Sequence, residues 1–180
     1  MIPRCPHGHQ ERRPGLPRAL VLALLASLLA ACGAAAAPPS APSPLLGKPL
    51  PDFERRTVAG AAVGTRQARG RVVIVKFFAK YCEPCRRTLP AAERLHRDRP
   101  DVLLLGIAED ERQADVRETI ATYGLTFPVV HDAGNVLSGR FRVRELPAVF
   151  VAGPDGTVRW AAGPEQDEQG LGLAVEAAAR

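Results

Sequence analysis

Cysteine is scarce in this chain: four in 180 residues, at positions 5, 32, 82 and 85. That count excludes a small secreted scaffold in which several disulfides stand in for a core. Histidine is as rare. None of His7, His9, His96 and His131 forms the second ligand pair that a zinc site would need beside Cys82 and Cys85. The apolar run from Ala19 to Ala31 has thirteen residues, one of them serine, too few to cross a bilayer as an ordinary helix. Basic clusters are missing as well. The net charge is +5 from 24 basic and 19 acidic residues, but residues 1–31 hold four arginines and one glutamate, which is +3 of that total. The remaining +2 belongs to scattered residues on what reads as a solvated surface, and nucleic-acid binding gets no support. There is no internal repeat.

One Cys-x-x-Cys is present, Cys82-Glu83-Pro84-Cys85, between an apolar strand and a helix. The strand is RVVIVKFFAKY, and the helix follows as RRTLPAAERLH, with Leu89, Ala92 and Leu95 at helical spacing. A thiol at the first turn of a helix meets unpaired N–H groups and the positive end of the dipole, both of which favour thiolate. A cysteine three residues on can fold back and release a mixed disulfide. The arrangement predicts dithiol–disulfide chemistry, with the Cys82–Cys85 pair as the redox group and no further cofactor. Glu83 sets negative charge beside the attacking sulfur, which biases the couple toward a reductant.

The first 31 residues read as a targeting segment. Arg4, Arg12, Arg13 and Arg18 precede the apolar run, which ends Leu29-Ala30-Ala31-Cys32-Gly33. That ending resembles the bacterial lipobox, which implies cleavage before Cys32, lipidation of its thiol and a place on the periplasmic side of the cell envelope. Residues 33–44, GAAAAPPSAPSP, lack large apolar side chains and form a Pro/Ala-rich tether spanning roughly 35–40 Å at ~3.1 Å per residue. The expected organisation is a signal at 1–31, lipidated Cys32 and tether at 32–44, and one domain at 45–180.

Within that domain the pattern alternates. A hairpin is expected over Phe53–Val63, strands over Arg71–Phe78, Val102–Ile107 and Phe127–Val130, and helices from Pro84 to about His96 and from Arg112 to Tyr123, ended by Gly124. A helical turn over Ala133–Phe141 precedes strands at Ala148–Ala152 and Thr157–Ala161 and a last helix from Gln166 to Ala179. Such an order argues for an α/β domain with a mixed central sheet covered by helices.

From LLGKPLPDFERRTVAG through GRVVIVKFFAKYCEPC to YGLTFPVVHDAGNVLSGRFRVRELPAVFVAGPDGTV, the domain resembles the TlpA/ResA-like branch of the thioredoxin superfamily. The resemblance implies a thioredoxin fold with an N-terminal hairpin and a central αβ insertion near 113–130. Cys82 would be the nucleophile, Cys85 the resolving thiol and Pro147 a cis-proline. Leu146 would offer its backbone to an extended substrate. Tyr81, Glu83 and Pro84 would border that substrate. Glu109 matches an acid used for proton transfer to the resolving thiol, set against its reading as a solvated loop residue. Lys76 and Thr88 depart from the pattern, which has Asn or an acid at the first position and an acid in some relatives at the second. A lysine in a central strand is costly unless paired, so pairing with Glu109, or an effect on a nearby thiol, is expected.

The resemblance further implies a monomeric reductant of disulfide-containing envelope proteins, re-reduced by a membrane thiol donor, with cytochrome c maturation as one role. A disulfide-forming oxidase is the nearest alternative. A peroxiredoxin-type peroxidase would need Pro at position 75 and Thr or Ser at 79, where Val75 and Ala79 stand. A copper chaperone would use Cys-x-x-x-C spacing plus a downstream histidine; the spacing here is one shorter and His131 stands alone. Haem attachment fails because Arg86 follows Cys85.

Overall fold

The computed structural model describes residue 41, residues 43–165 and residues 168–180. The expected signal segment, Cys5, Cys32 and most of the tether lie outside the described residues.

Strand β3, Val73–Phe78, is built from β-branched and aromatic residues apart from Lys76, and is buried along its whole length. It forms the centre of a five-stranded sheet. Leu103–Ala108 (β4) runs parallel to it and Val129–His131 (β5) parallel to β4. On the other side lie Ala148–Ala152 (β6), antiparallel to β3, and Val158–Ala162 (β7), antiparallel to β6. The order is β5-β4-β3-β6-β7. A separate hairpin pairs Glu54–Arg56 (β1) with Ala62–Gly64 (β2). The helices are α1, Glu83–Asp98; α2, Gln113–Tyr123; α3, Val136–Phe141; and α4, Glu168–Ala178.

Alternation along β3 divides the core in two. Ile74 and Phe78 face α1, α2 and α4, where Leu89, Val116 and Val175 pack on Leu104 and Val151. Val73, Val75 and Phe77 face the opposite layer, where Leu137 and Phe141 of α3 meet Phe53, just ahead of the hairpin, and Val63 of β2. The rings of Phe77 and Phe141 lie 5.1 Å apart. The mixed sheet with helices on both faces, and the α2–β5 unit at one edge, agree with the expected class. Gly124 ends α2 in the left-handed region at φ 58°, as a C-terminal glycine should.

Most element ends shift by one to three residues from the sequence reading, and two of the differences have a clear physical cause. The fifth strand starts at Val129, not Phe127, because Pro128 has no N–H to give a ladder and Phe127 spends its ring in the core, 6.0 Å from that of His96. The hairpin is also shorter than Phe53–Val63: Phe53 is a core anchor ahead of β1, and a 3-10 turn at Thr65–Ala68 follows β2.

The segment before β1 lies along β7, where Gly47 N–H donates to the Val158 carbonyl at 2.9 Å and Val158 N–H to the Lys48 carbonyl at 2.9 Å. At the far side, Val58 N–H donates to the Val129 carbonyl of β5 at 2.8 Å.

Gly106 of β4 is required by space. A Cβ there would come 2.7 Å from the Phe127 ring, 3.0 Å from that of Phe78 and 3.2 Å from Val129. Gly106→Ala is expected to lower stability by about 2 kcal/mol through overpacking. The check is a lower urea midpoint with an unchanged slope.

Candidate active site

Cys82 is the N-cap residue of helix α1. Pro84 occupies its first turn, where a missing N–H costs nothing, and the Cys82 sulfur accepts from Cys85 N–H at 3.1 Å. Cys82 and Cys85 form a disulfide, S–S 2.05 Å, with their Cα atoms 5.2 Å apart. Cys85 is 0% exposed and Cys82 6%. Cys82 lines a cleft of about 640 Å³ whose wall also includes Tyr81, Glu109, Ser138, Arg144 and Leu146. The upper sulfur therefore reaches the cleft while the lower one is sealed beneath it. Glu83 and Pro84 border the same cleft. Glu83 is ion-paired with Arg86 at 3.1 Å, which offsets part of the negative charge set beside Cys82. Tyr81 is 70% exposed at the cleft mouth. Leu146 joins Pro147 through a cis peptide bond.

Glu109 sits at the end of β4, its N–H donating to the Phe78 carbonyl at 3.0 Å. It is a half-buried wall residue, not a solvated loop acid. Its carboxylate accepts from the Ser138 hydroxyl at 2.5 Å. Burial pushes its proton affinity up, as do the negative charges of Asp132 and Asp110, while the Ser138 bond works against them. The neighbouring Asp110 is buried and accepts Lys80 N–H at 2.9 Å, which ties the loop before Cys82 to the end of β4. Burial raises its pKa as well.

Lys76 corrects one expectation. Its partner is not Glu109 but Thr88, whose hydroxyl oxygen accepts from Nζ at 3.0 Å and in turn donates to the Cys85 carbonyl at 3.2 Å. The side chain is 0% exposed, on the face of β3 that meets α1. Burial alone pushes the amine down to about 7. Its two departures from the family pattern thus form one hydrogen-bonded pair behind the disulfide.

His131 ends β5 with Nε2 2.7 Å from the Asp110 carbonyl, a contact that requires N–H on that nitrogen. Among the described residues, no group of three or more His, Cys, Asp or Glu side chains is placed to hold a metal ion. The sequence reading missed Ser138, Asp132 and the use of Thr88. VLSGRF gave a helical turn but nothing to say that its serine meets two acids.

The profile of the AhpC/TSA family matches residues 46–161. The thioredoxin-like protein YneN of Bacillus subtilis is 28% identical over 117 residues, covering 63% of this chain and 68% of that protein. The thiol-disulfide oxidoreductase ResA of Bacillus anthracis is 29% identical over 115 residues, 63% of this chain and 66% of ResA. The chain thus spans about two thirds of the length of these relatives. A crystal structure of a secreted Mycobacterium tuberculosis disulfide oxidoreductase, homologous to E. coli DsbE, superposes with a TM-score of 0.65 at 24% identity, over 69% of this chain and 95% of that one. That likeness shows the thioredoxin fold.

Proposed function

This chain belongs to the AhpC/TSA family of thioredoxin-like redox enzymes, and on that footing we propose that it is an exported, lipid-anchored thiol–disulfide oxidoreductase that reduces disulfides of envelope proteins. The observation that carries the reading is the asymmetry of the two sulfurs, one at the cleft and one sealed beneath it at the start of α1. In the reduced protein, Cys82 thiolate attacks a substrate disulfide; one substrate sulfur leaves with the electron pair and a mixed disulfide remains. Cys85 loses its proton, attacks Cys82 and expels the second substrate sulfur. The substrate disulfide has gained two electrons and two protons, and Cys82–Cys85 has lost them. A membrane thiol donor then re-reduces the pair. Tyr81 and the Leu146 backbone border the bound chain, and Glu109 supplies a proton-transfer group.

Similarity to ResA supports this class, and cytochrome c maturation is the role that fits a reductant of this kind. The lipobox-like end at Cys32 carries the proposed anchor. A thiol-peroxidase reading of the same family finds Val75 and Ala79 where it needs proline and a hydroxyl, and Ala79 is buried in the core.

The test is the reduction potential of the Cys82–Cys85 couple against thiol buffers. The expected value lies near the thioredoxin end of the roughly −270 to −120 mV range. A value at the oxidising end would make the protein a disulfide-forming oxidase and remove the cytochrome role.

A further inference from the structure

We propose that Ser138 is a positioning residue for this chemistry: its hydroxyl, shared between Glu109 and Asp132, governs how readily Glu109 takes up and gives back a proton at the cleft wall. The inference rests on the reading of the cleft as a dithiol–disulfide site.

Ser138 Oγ lies 2.5 Å from Glu109 Oε1 and 3.2 Å from Asp132 Oδ2. A serine hydroxyl has one proton and cannot donate to both. Asp132 does not depend on it, since the buried Asp132 carboxylate also accepts Leu137 N–H at 3.0 Å and Ser138 N–H at 2.9 Å. With Glu109 ionised, the hydroxyl donates to Glu109. With Glu109 protonated, the carboxyl O–H donates to Ser138 Oγ and the hydroxyl swings to Asp132. Every group keeps a partner in both states, so a proton moves on and off Glu109 without leaving a buried polar atom unpaired.

The surroundings give this switch its leverage. Asp132, from the loop after β5, and Asp110, next in sequence, both place negative charge near Glu109. Across the cleft stand the Tyr81 phenol, Glu83, Arg144 and Glu145. Burial and the two aspartates favour the protonated acid, and the Ser138 bond favours the carboxylate. In the release step, Cys85 gives its thiol proton to water and attacks Cys82 as the thiolate, and the substrate sulfur leaves with its electron pair into the cleft that Glu109 lines. Protonated Glu109 passes its proton to that sulfur, and the hydroxyl swings to the new carboxylate. Water returns a proton to Glu109 for the next turn.

Removing the hydroxyl deprives the carboxylate of its donor but leaves both backbone bonds to Asp132. Ser138→Ala should therefore raise the pKa of Glu109 by about one unit. The experiment uses the purified full-length chain, with carbon-13 NMR titration of the Glu109 carboxyl and pH profiles for reduction of oxidised glutathione. The wild-type rate should fall as pH rises through the Glu109 transition. In Ser138→Ala that limb should move up by about one pH unit together with the NMR titration, and Ser138→Thr should return both. In a Glu109→Gln background, Ser138→Ala should move nothing. An unmoved Glu109 titration, or an equal limb shift in the Glu109→Gln background, overturns the inference while leaving the dithiol reading intact. Wild-type turnover by a Cys82→Ser variant overturns the dithiol reading instead, and the NMR titration still decides what Ser138 does to Glu109.

Discussion

Lys76→Met is expected to raise the free energy of unfolding at pH 7 by about 3 kcal/mol. Lys76 is among the largest fully buried side chains and holds one hydrogen bond, to the Thr88 hydroxyl. Burial is the sole influence on its amine, and it lowers the pKa from 10.5 to about 7. Between those two values the unfolded chain binds a proton that the folded chain does not. Stability therefore rises with pH across that window and falls as pH drops toward 7. At about 1.4 kcal/mol per unit, the gap makes the lysine cost on the order of 4–5 kcal/mol at neutral pH. Methionine has a similar length and no charge to desolvate, and imperfect packing takes back about 1–2 kcal/mol. Urea unfolding of both proteins at pH 7 and pH 10 is the check. The wild type should gain stability between the two, and the variant should stay nearly flat. A variant less stable than wild type at pH 7 would mean that the ammonium has a compensating partner in solution.

Cys85→Ser should reduce steady-state disulfide turnover by roughly a thousandfold or more while leaving the first chemical step in place. Cys82 keeps its place at the cleft and at the start of α1, so it still attacks. The sealed thiol that would release the product is gone. The variant should accumulate a one-to-one mixed disulfide with its substrate, visible as a mass increase that dithiothreitol removes. Cys82→Ser should show neither turnover nor adduct. Undiminished turnover by Cys85→Ser would remove the resolving role from this residue.

Features carried by local pattern were legible in the sequence. The run from Val72 to Phe78 announced a central strand because both faces of β3 are covered, and Gly124 announced the end of α2 because a left-handed cap suits glycine. The Cys-x-x-Cys declared itself through what flanks it. Tertiary neighbours were illegible. Thr88 meets Lys76 across a strand–helix interface twelve residues apart, and Ser138 meets Glu109 across twenty-nine. Nothing in either local pattern distinguishes these hydroxyls from solvent-facing ones. The sequence marks Lys76 as a residue in need of a partner, and charge alone points to Glu109. The fold answered with a neutral hydroxyl one helical turn beyond Cys85.

The backbone that runs beside β7 before the hairpin, and beside β5 after β1, covers the two borders of the sheet. A polypeptide presented for disulfide exchange is extended, with its own amides seeking partners. A sheet with bare borders would be a template for such chains, inviting fibril-like stacking at each encounter. Here residues 47–48 occupy one border and residue 58 the other, so the chain insulates its own sheet with one continuous stretch of itself. On the proposed reading, this leaves the cleft shared by Leu146 and Cys82 as the place where an extended client would pair and then be let go.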